Sequence, residues 1–190
     1  PQLYWPINRM PQSYPVLLGW WQGENTMQRH LWPGISVGRD TSAKNVNEIM
    51  SQIMISRGML PQSKGVIHWN IFSVSKNPPM AKALIEGPYK KQALVPESPW
   101  LGNQAPAAPT VSTATQADKV TVSWTHPDEA SVFRWVVYYQ YGNQKKYQIL
   151  NRKDRSVVLE RLVTGSGNEK LTISNITVTA VDRLGNESTR

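Results

Sequence analysis

Residues 64–73 read KGVIHWNIFS, a nearly continuous apolar run. Such runs suit strands buried on both faces, the condition of a parallel sheet. Upstream, HLWPGISVGR at 30–39 reads as a second strand in which Ile35 and Val37 alternate, and QLYWP at 2–6 reads as a first. Helical patterns separate and follow these strands. Ser13 is placed to cap a helix with Pro15 in its first turn, and Val16, Leu17, Trp20 and Trp21 share one face, which marks both tryptophans as core. Residues 43–57 give the clearest helix: Val46, Ile49, Met50, Ile53 and Met54 fall on a buried stripe, Ser42 or Asn45 caps it, and Gly58 stops it. Pro78 and Pro79 open a last helix that Gly87 and Pro88 end.

Strand alternating with helix three times predicts βαβ units around a parallel sheet. A whole (β/α)8 barrel needs about 250 residues, and the chain has 190 in all. Residues 1–98 are therefore expected to be the C-terminal part of a barrel, its last three βα units, which needs the remaining N-terminal part as a partner; a small three-layer α/β domain is the alternative. Residues 99–109, PWLGNQAPAAP, read as a Pro-rich linker. From 110 to 190 the pattern turns to period two: Val120, Val122 and Trp124 alternate, as do Phe133, Trp135, Val137 and Tyr139. That predicts an all-β sandwich with Trp124 against Trp135 in its core.

Charge and composition exclude several classes. The formal net charge is +8, which favours anionic partners. The densest cations, Lys145, Lys146, Arg152, Lys153 and Arg155, are interrupted by Asp154 and followed by Glu160, a solvated face rather than a nucleic-acid site. Cysteine is absent, so disulfides and thiolate metal sites are excluded. His30, His68 and His126 lack metal-ligand spacing, and no cofactor is expected. No stretch is apolar enough to span a membrane; attachment is expected only through a lipid anchor upstream.

Two stretches carry family resemblances. AVDRLGNES at 180–188, with Trp124 upstream, resembles the F strand and F–G turn of fibronectin type III modules attached to bacterial glycosidases. Ile176 stands where that family has an aromatic, so the resemblance implies a sandwich without a tyrosine corner. PQLYW at 1–5, GWW at 19–21, the segment 49–57, GVIHWNIFS at 65–73, Tyr89, ALVP at 93–96 and Pro99-Trp100 occur in an order similar to the C-terminal part of the glycosyl-hydrolase-like 10 family. The resemblance implies strands six to eight of a glycosidase-like barrel, in an exported envelope protein, periplasmic, outer-membrane or extracellular, acting on peptidoglycan-type glycan. That family's aspartate-rich mid-barrel strand, His-x-Asp-Asp-Tyr-Phe-Tyr-Pro, has no match here. The catalytic carboxylates are accordingly expected upstream, the catalytic residues stay unassigned, and this piece alone is expected to be inactive.

Glycoside hydrolysis commonly uses two carboxylates flanking the scissile bond. Of Glu24, Asp40, Glu48, Glu86 and Glu97, Asp40 alone follows a strand at the face where βα loops converge, and a surface pair with Arg39 or a helix-start carboxylate is its alternative. Glu48 reads as a solvated helix residue. Trp5 and Trp69 lie toward the C-terminal ends of strands, where indole faces can pack on sugar C–H groups; core packing is the rival reading. Asn8, Arg39, His68 and Asn70 can supply polar groups, but alternation forbids His68 and Trp69 from facing the same side. The expected substrate-binding set is Trp5, Asn8, Arg39, Asp40, Trp69 and Asn70. Competing functions are a non-catalytic glycan-binding or spacer module and an interaction module using an open sandwich edge.

Overall fold

Strands β1 (Gly34–Ser36) and β2 (Ile67–Trp69) are parallel, with Gly34 beside Ile67, Ile35 beside His68 and Ser36 beside Trp69. The structure, a computed structural model, describes residues 1–38, 43–60, 62–63 and 65–190. It divides into two units, Pro1–Lys91 and Gln92–Arg190.

In the first unit the three expected strands are shorter than their apolar runs. The first is a single parallel bridge from Gln2 to Gly34, with the Leu3 N–H donating to Gly34 O at 2.8 Å. The third ends at Trp69 because Asn70 turns the chain into a helix: its side-chain oxygen accepts from the Ser73 N–H at 3.0 Å, capping α3 (Ile71–Ser75). Helices α1 (Tyr14–Glu24), α2 (Ala43–Met59) and α4 (Pro78–Glu86) supply the rest. Leu3 and Ile35 form one core with Tyr14, Leu18, Ile49, Ile53, Met80 and Leu84, so α1, α2 and α4 pack on one face of the sheet. These residues do not close a barrel.

Several helix expectations change. On α1 the buried residues are Tyr14 and Leu18, whereas Val16, Trp20 and Trp21 are exposed. Ser13 does not cap; its hydroxyl donates to Ile7 O at 2.6 Å. Helix α2 runs through Gly58 to Met59, and Met54 is exposed. Its buried stripe includes Asn45, Gln52 and Ser56, the last bonded to the Tyr14 hydroxyl at 2.7 Å. Helix α4 follows the sequence reading, with Asn77 accepting from the Met80 N–H at 3.2 Å and Gly87 at its end.

The second unit is a two-sheet antiparallel sandwich. Strands β3 (Thr110–Gln116), β4 (Lys119–Thr125) and β7 (Ser156–Glu160) form one sheet in the order β3-β4-β7. Strands β5 (Arg134–Tyr141), β6 (Gln144–Asn151), β8 (Leu162–Thr164) and β9 (Lys170–Val181) form the other, in the order β6-β5-β9-β8. Period-two alternation sends Val120, Val122 and Trp124 from one sheet, and Trp135 and Val137 from the other, into a shared core. The Trp124 and Trp135 ring centroids lie 5.9 Å apart. Ile176 occupies β9 without an aromatic, but the Tyr141 hydroxyl donates to Glu160 O and ties β5 to the end of β7.

The unit boundary falls between Lys91 and Gln92, whereas the sequence places the linker at 99–109. The turn at 182–186 accounts for the difference. Asp182 Oδ1 accepts from the N–H groups of Leu184 and Asn186 at 2.8 and 2.9 Å, and Asn186 Nδ2 donates to Gly102 O at 3.1 Å. Ser98 N–H adds a bond to Leu184 O at 2.8 Å. Residues 95–102 therefore lie fastened along the sandwich.

Candidate functional site

The register of β1 and β2 gives the parallel sheet two chemically different faces. Ile35 and His68 share the helix-covered face, and Gly34, Ile67, Ser36 and Trp69 share the other. On that second face Trp69 is 57 % exposed, at the C-terminal end of its strand, with Ser36 beside it in register. The following turn, α3, exposes Ile71 and Phe72, and Lys76 Nζ lies 5.6 Å from the Phe72 ring centroid.

Trp5, half-buried, sits where the first strand segment leaves the sheet. Its loop is held by α2. Gln52 Nε2 donates to Trp5 O at 3.1 Å and to Glu48 Oε1 at 2.9 Å, and the Ile7 N–H donates to that same Glu48 oxygen at 2.7 Å. Glu48 is thus a half-buried acceptor that fixes the loop, a correction to its reading as a solvated residue. Asn8 is exposed in the turn after Ile7. Asn70 caps α3, its side-chain oxygen engaged by the Ser73 N–H and hydroxyl at 3.0 and 3.3 Å. Arg39 and Asp40 lie outside the described residues.

His68 belongs to the opposite face. Its Nε2 and the Tyr89 hydroxyl are 2.6 Å apart. Arg57 lies 6.0 Å from the Tyr89 ring centroid and donates to Pro88 O at 2.8 Å. Burial lowers the His68 pKa below its ordinary value, and burial raises that of Tyr89 against the opposing charge of Arg57. This trio ties β2 to the ends of α2 and α4 and does not reach the Trp69 face.

The described carboxylates of the first unit make no catalytic pair. Glu48 serves the loop, while Glu24 and Glu86 close α1 and α4 at their C-terminal ends. Among the described residues no cluster of His, Cys, Asp and Glu can hold a metal ion. The face thus presents an open indole beside Ser36, and the described carboxylates supply no acid and base pair there. Glu48 and Gln52 were missed as loop-holding residues because a polar i, i+4 pair on a helix reads as solvent-facing. Their position on the stripe of Asn45, Ile49 and Ile53 was the available signal.

Among known proteins, the chain is similar to one that is named as a glycosyl hydrolase. The chain is 30% identical over 201 residues to "Glycosyl hydrolase YngK" of Bacillus subtilis (strain 168), a match covering 99% of this chain and 39% of that protein. The chain thus spans about two-fifths of that relative's length. No family model matches. Among solved structures, the chicken CNTN1 FN1–FN3 domains overlap with a TM-score of 0.35 at 24% identity, covering 45% of this chain and 30% of that one. The Clostridium perfringens spore cortex lytic enzyme SleM overlaps with a TM-score of 0.34 at 14% identity, covering 92% and 72%. Overlaps of that size establish no shared fold.

Proposed function

We propose that the first unit supplies part of the glycan-contacting surface of a glycoside-hydrolase-type protein acting on peptidoglycan-type or related glycan at the bacterial cell envelope. The observation that carries the reading is Trp69: a large indole left open to solvent at the C-terminal end of a parallel strand, where binding sites of such sheets gather. The named relative supports the glycosidase class. The parallel segments, neighbours in sequence order with α1, α2 and α4 on one face, suit the last three units of a (β/α)8 barrel. The three-plus-four sandwich suits a fibronectin-III-like module. In this reading Trp5 and Trp69 pack on sugar rings, Asn8, Arg39, Asp40 and Asn70 border them, and the catalytic carboxylates come from residues outside this chain.

A second reading is a protein that binds glycan without cleaving it, since the described carboxylates of the first unit, Glu24, Glu48 and Glu86, make no catalytic pair. Incubation of purified peptidoglycan with the longer protein that would supply the catalytic carboxylates, rather than with this chain alone, separates the two. Soluble fragments bearing new reducing ends, diminished by Trp69→Ala, are the outcome expected for a hydrolase. Retention on the insoluble glycan with no fragments released assigns binding alone. Neither retention nor release removes both readings.

A further inference from the structure

The Trp69 indole is 57 % exposed, and the strand that carries it has only 3 residues and ends there. A side chain on so short an element keeps one orientation only where the backbone beneath it is held on several sides. Two of those holds lie along the chain direction. The Val37 N–H donates to Trp69 O at 3.1 Å, and Asn70 accepts from the Ser73 N–H at 3.0 Å, fixing the residue that follows. A third comes from the opposite face of the sheet. His68 precedes Trp69 and faces the helices, and one hydrogen bond sets its ring. Among the described residues its Nδ1 is buried without a partner, while Nε2 and the Tyr89 hydroxyl are 2.6 Å apart. Tyr89 is itself set in place. Its N–H donates to Leu84 O at 3.0 Å at the end of α4, its ring meets the His68 ring edge-on with centroids 5.7 Å apart, and Arg57 of α2 lies 6.0 Å from its centroid.

We propose that Tyr89 is a positioning residue for Trp69: its hydroxyl, acting through the His68 ring, fixes the end of β2 from behind and so orders the indole before a sugar packs on it. The proposal rests on the reading of Trp69 as a glycan contact and adds to it a residue on the other side of the sheet. A phenol suits the task because its hydroxyl donates or accepts, and so serves His68 Nε2 in either tautomer. An indole that is already ordered loses less freedom on binding, so releasing this hold weakens binding without removing any contact to the sugar. A role in stability alone predicts something different: it lowers every kind of binding alike and does not depend on Trp69.

The test is a double-mutant cycle, read by sedimentation of the whole chain with insoluble peptidoglycan. Tyr89→Phe keeps the ring and removes the hydroxyl. It is expected to weaken retention roughly two- to tenfold in the wild-type background, to leave retention unchanged in the Trp69→Ala background, and to shift the indole N–H resonance of Trp69. His68→Gln, whose amide can serve the Tyr89 hydroxyl, is expected to bind as wild type does, and His68→Leu to lose as much as Tyr89→Phe. Should Tyr89→Phe unfold, the two His68 variants decide, and equal binding by them overturns the proposal. Full retention by Tyr89→Phe, or the same loss with and without Trp69, overturns the positioning role and leaves the Trp69 reading standing. Unchanged retention by Trp69→Ala itself overturns that reading and this one with it.

Discussion

Glu48 Oε1 accepts the Ile7 N–H at 2.7 Å, joining helix α2 to the loop after the first strand across 41 positions of sequence. With Gln52 donating to Trp5 O, this contact sets where Trp5 sits relative to the sheet. The loop that carries Trp5 is therefore held from behind by two polar helix residues.

Glu48→Ala leaves the Ile7 N–H without its acceptor and is expected to cost about 1–3 kcal/mol. Glu48→Gln keeps an acceptor oxygen and is expected to cost less than about 1 kcal/mol. Chemical denaturation, followed by the fluorescence of the first unit's tryptophans, compares them; equal losses would show that the hydrogen bond does not hold the loop.

Gly185 has φ 86°, and a Cβ there would stand 2.9 Å from Val95 O and 3.0 Å from Pro96 O. Gly185→Ala is expected to destabilise the second unit by about 1–3 kcal/mol and to free residues 95–102 for proteolysis. A limited digest that cuts wild type and variant at equal rates would refute the role given to this turn.

Stability should fall at both ends of the pH scale through first-unit groups. Burial pushes the Tyr14 hydroxyl up to about 12, against the opposing bond to Ser56. The folded state keeps this proton after the unfolded chain, near 10, has lost it, so its contribution is whole below about pH 10 and disappears as pH rises toward about 12. Tyr14→Phe should flatten the alkaline slope while costing about 1 kcal/mol at neutral pH. His68 is shifted the other way: burial lowers its pKa, so its contribution is whole above about pH 6.5 and is lost as pH falls through the lowered value. Unfolding midpoints of wild type, Tyr14→Phe and His68→Phe from pH 4 to 11 check both signs; parallel curves would contradict them.

The sandwich was legible because inward residues repeat every second position: Val120, Val122 and Trp124 on β4, Trp135 and Val137 on β5. Its turn at 182–186 was visible as a motif, but the hold of Asn186 on Gly102 spans 84 positions, beyond any local pattern. In the first unit, apolarity marked the strands and overextended them: Ile71 and Phe72 continue the run of β2 in sequence, yet Asn70 caps a helix that turns them out to solvent. Trp20 misled for the reverse reason, since apolar spacing on a helix does not say which face is covered. His68 and Trp69 divided between faces as alternation requires.

The most direct test compares two tryptophans of nearly equal exposure, Trp69 at 57% and Trp20 at 56%. Trp69 ends a parallel strand, and Trp20 lies on the outside of α1. Sedimentation with insoluble peptidoglycan is expected to show Trp69→Ala binding roughly tenfold more weakly than wild type and Trp20→Ala binding unchanged. Equal loss in both, or loss in neither, would contradict a glycan surface at the strand ends.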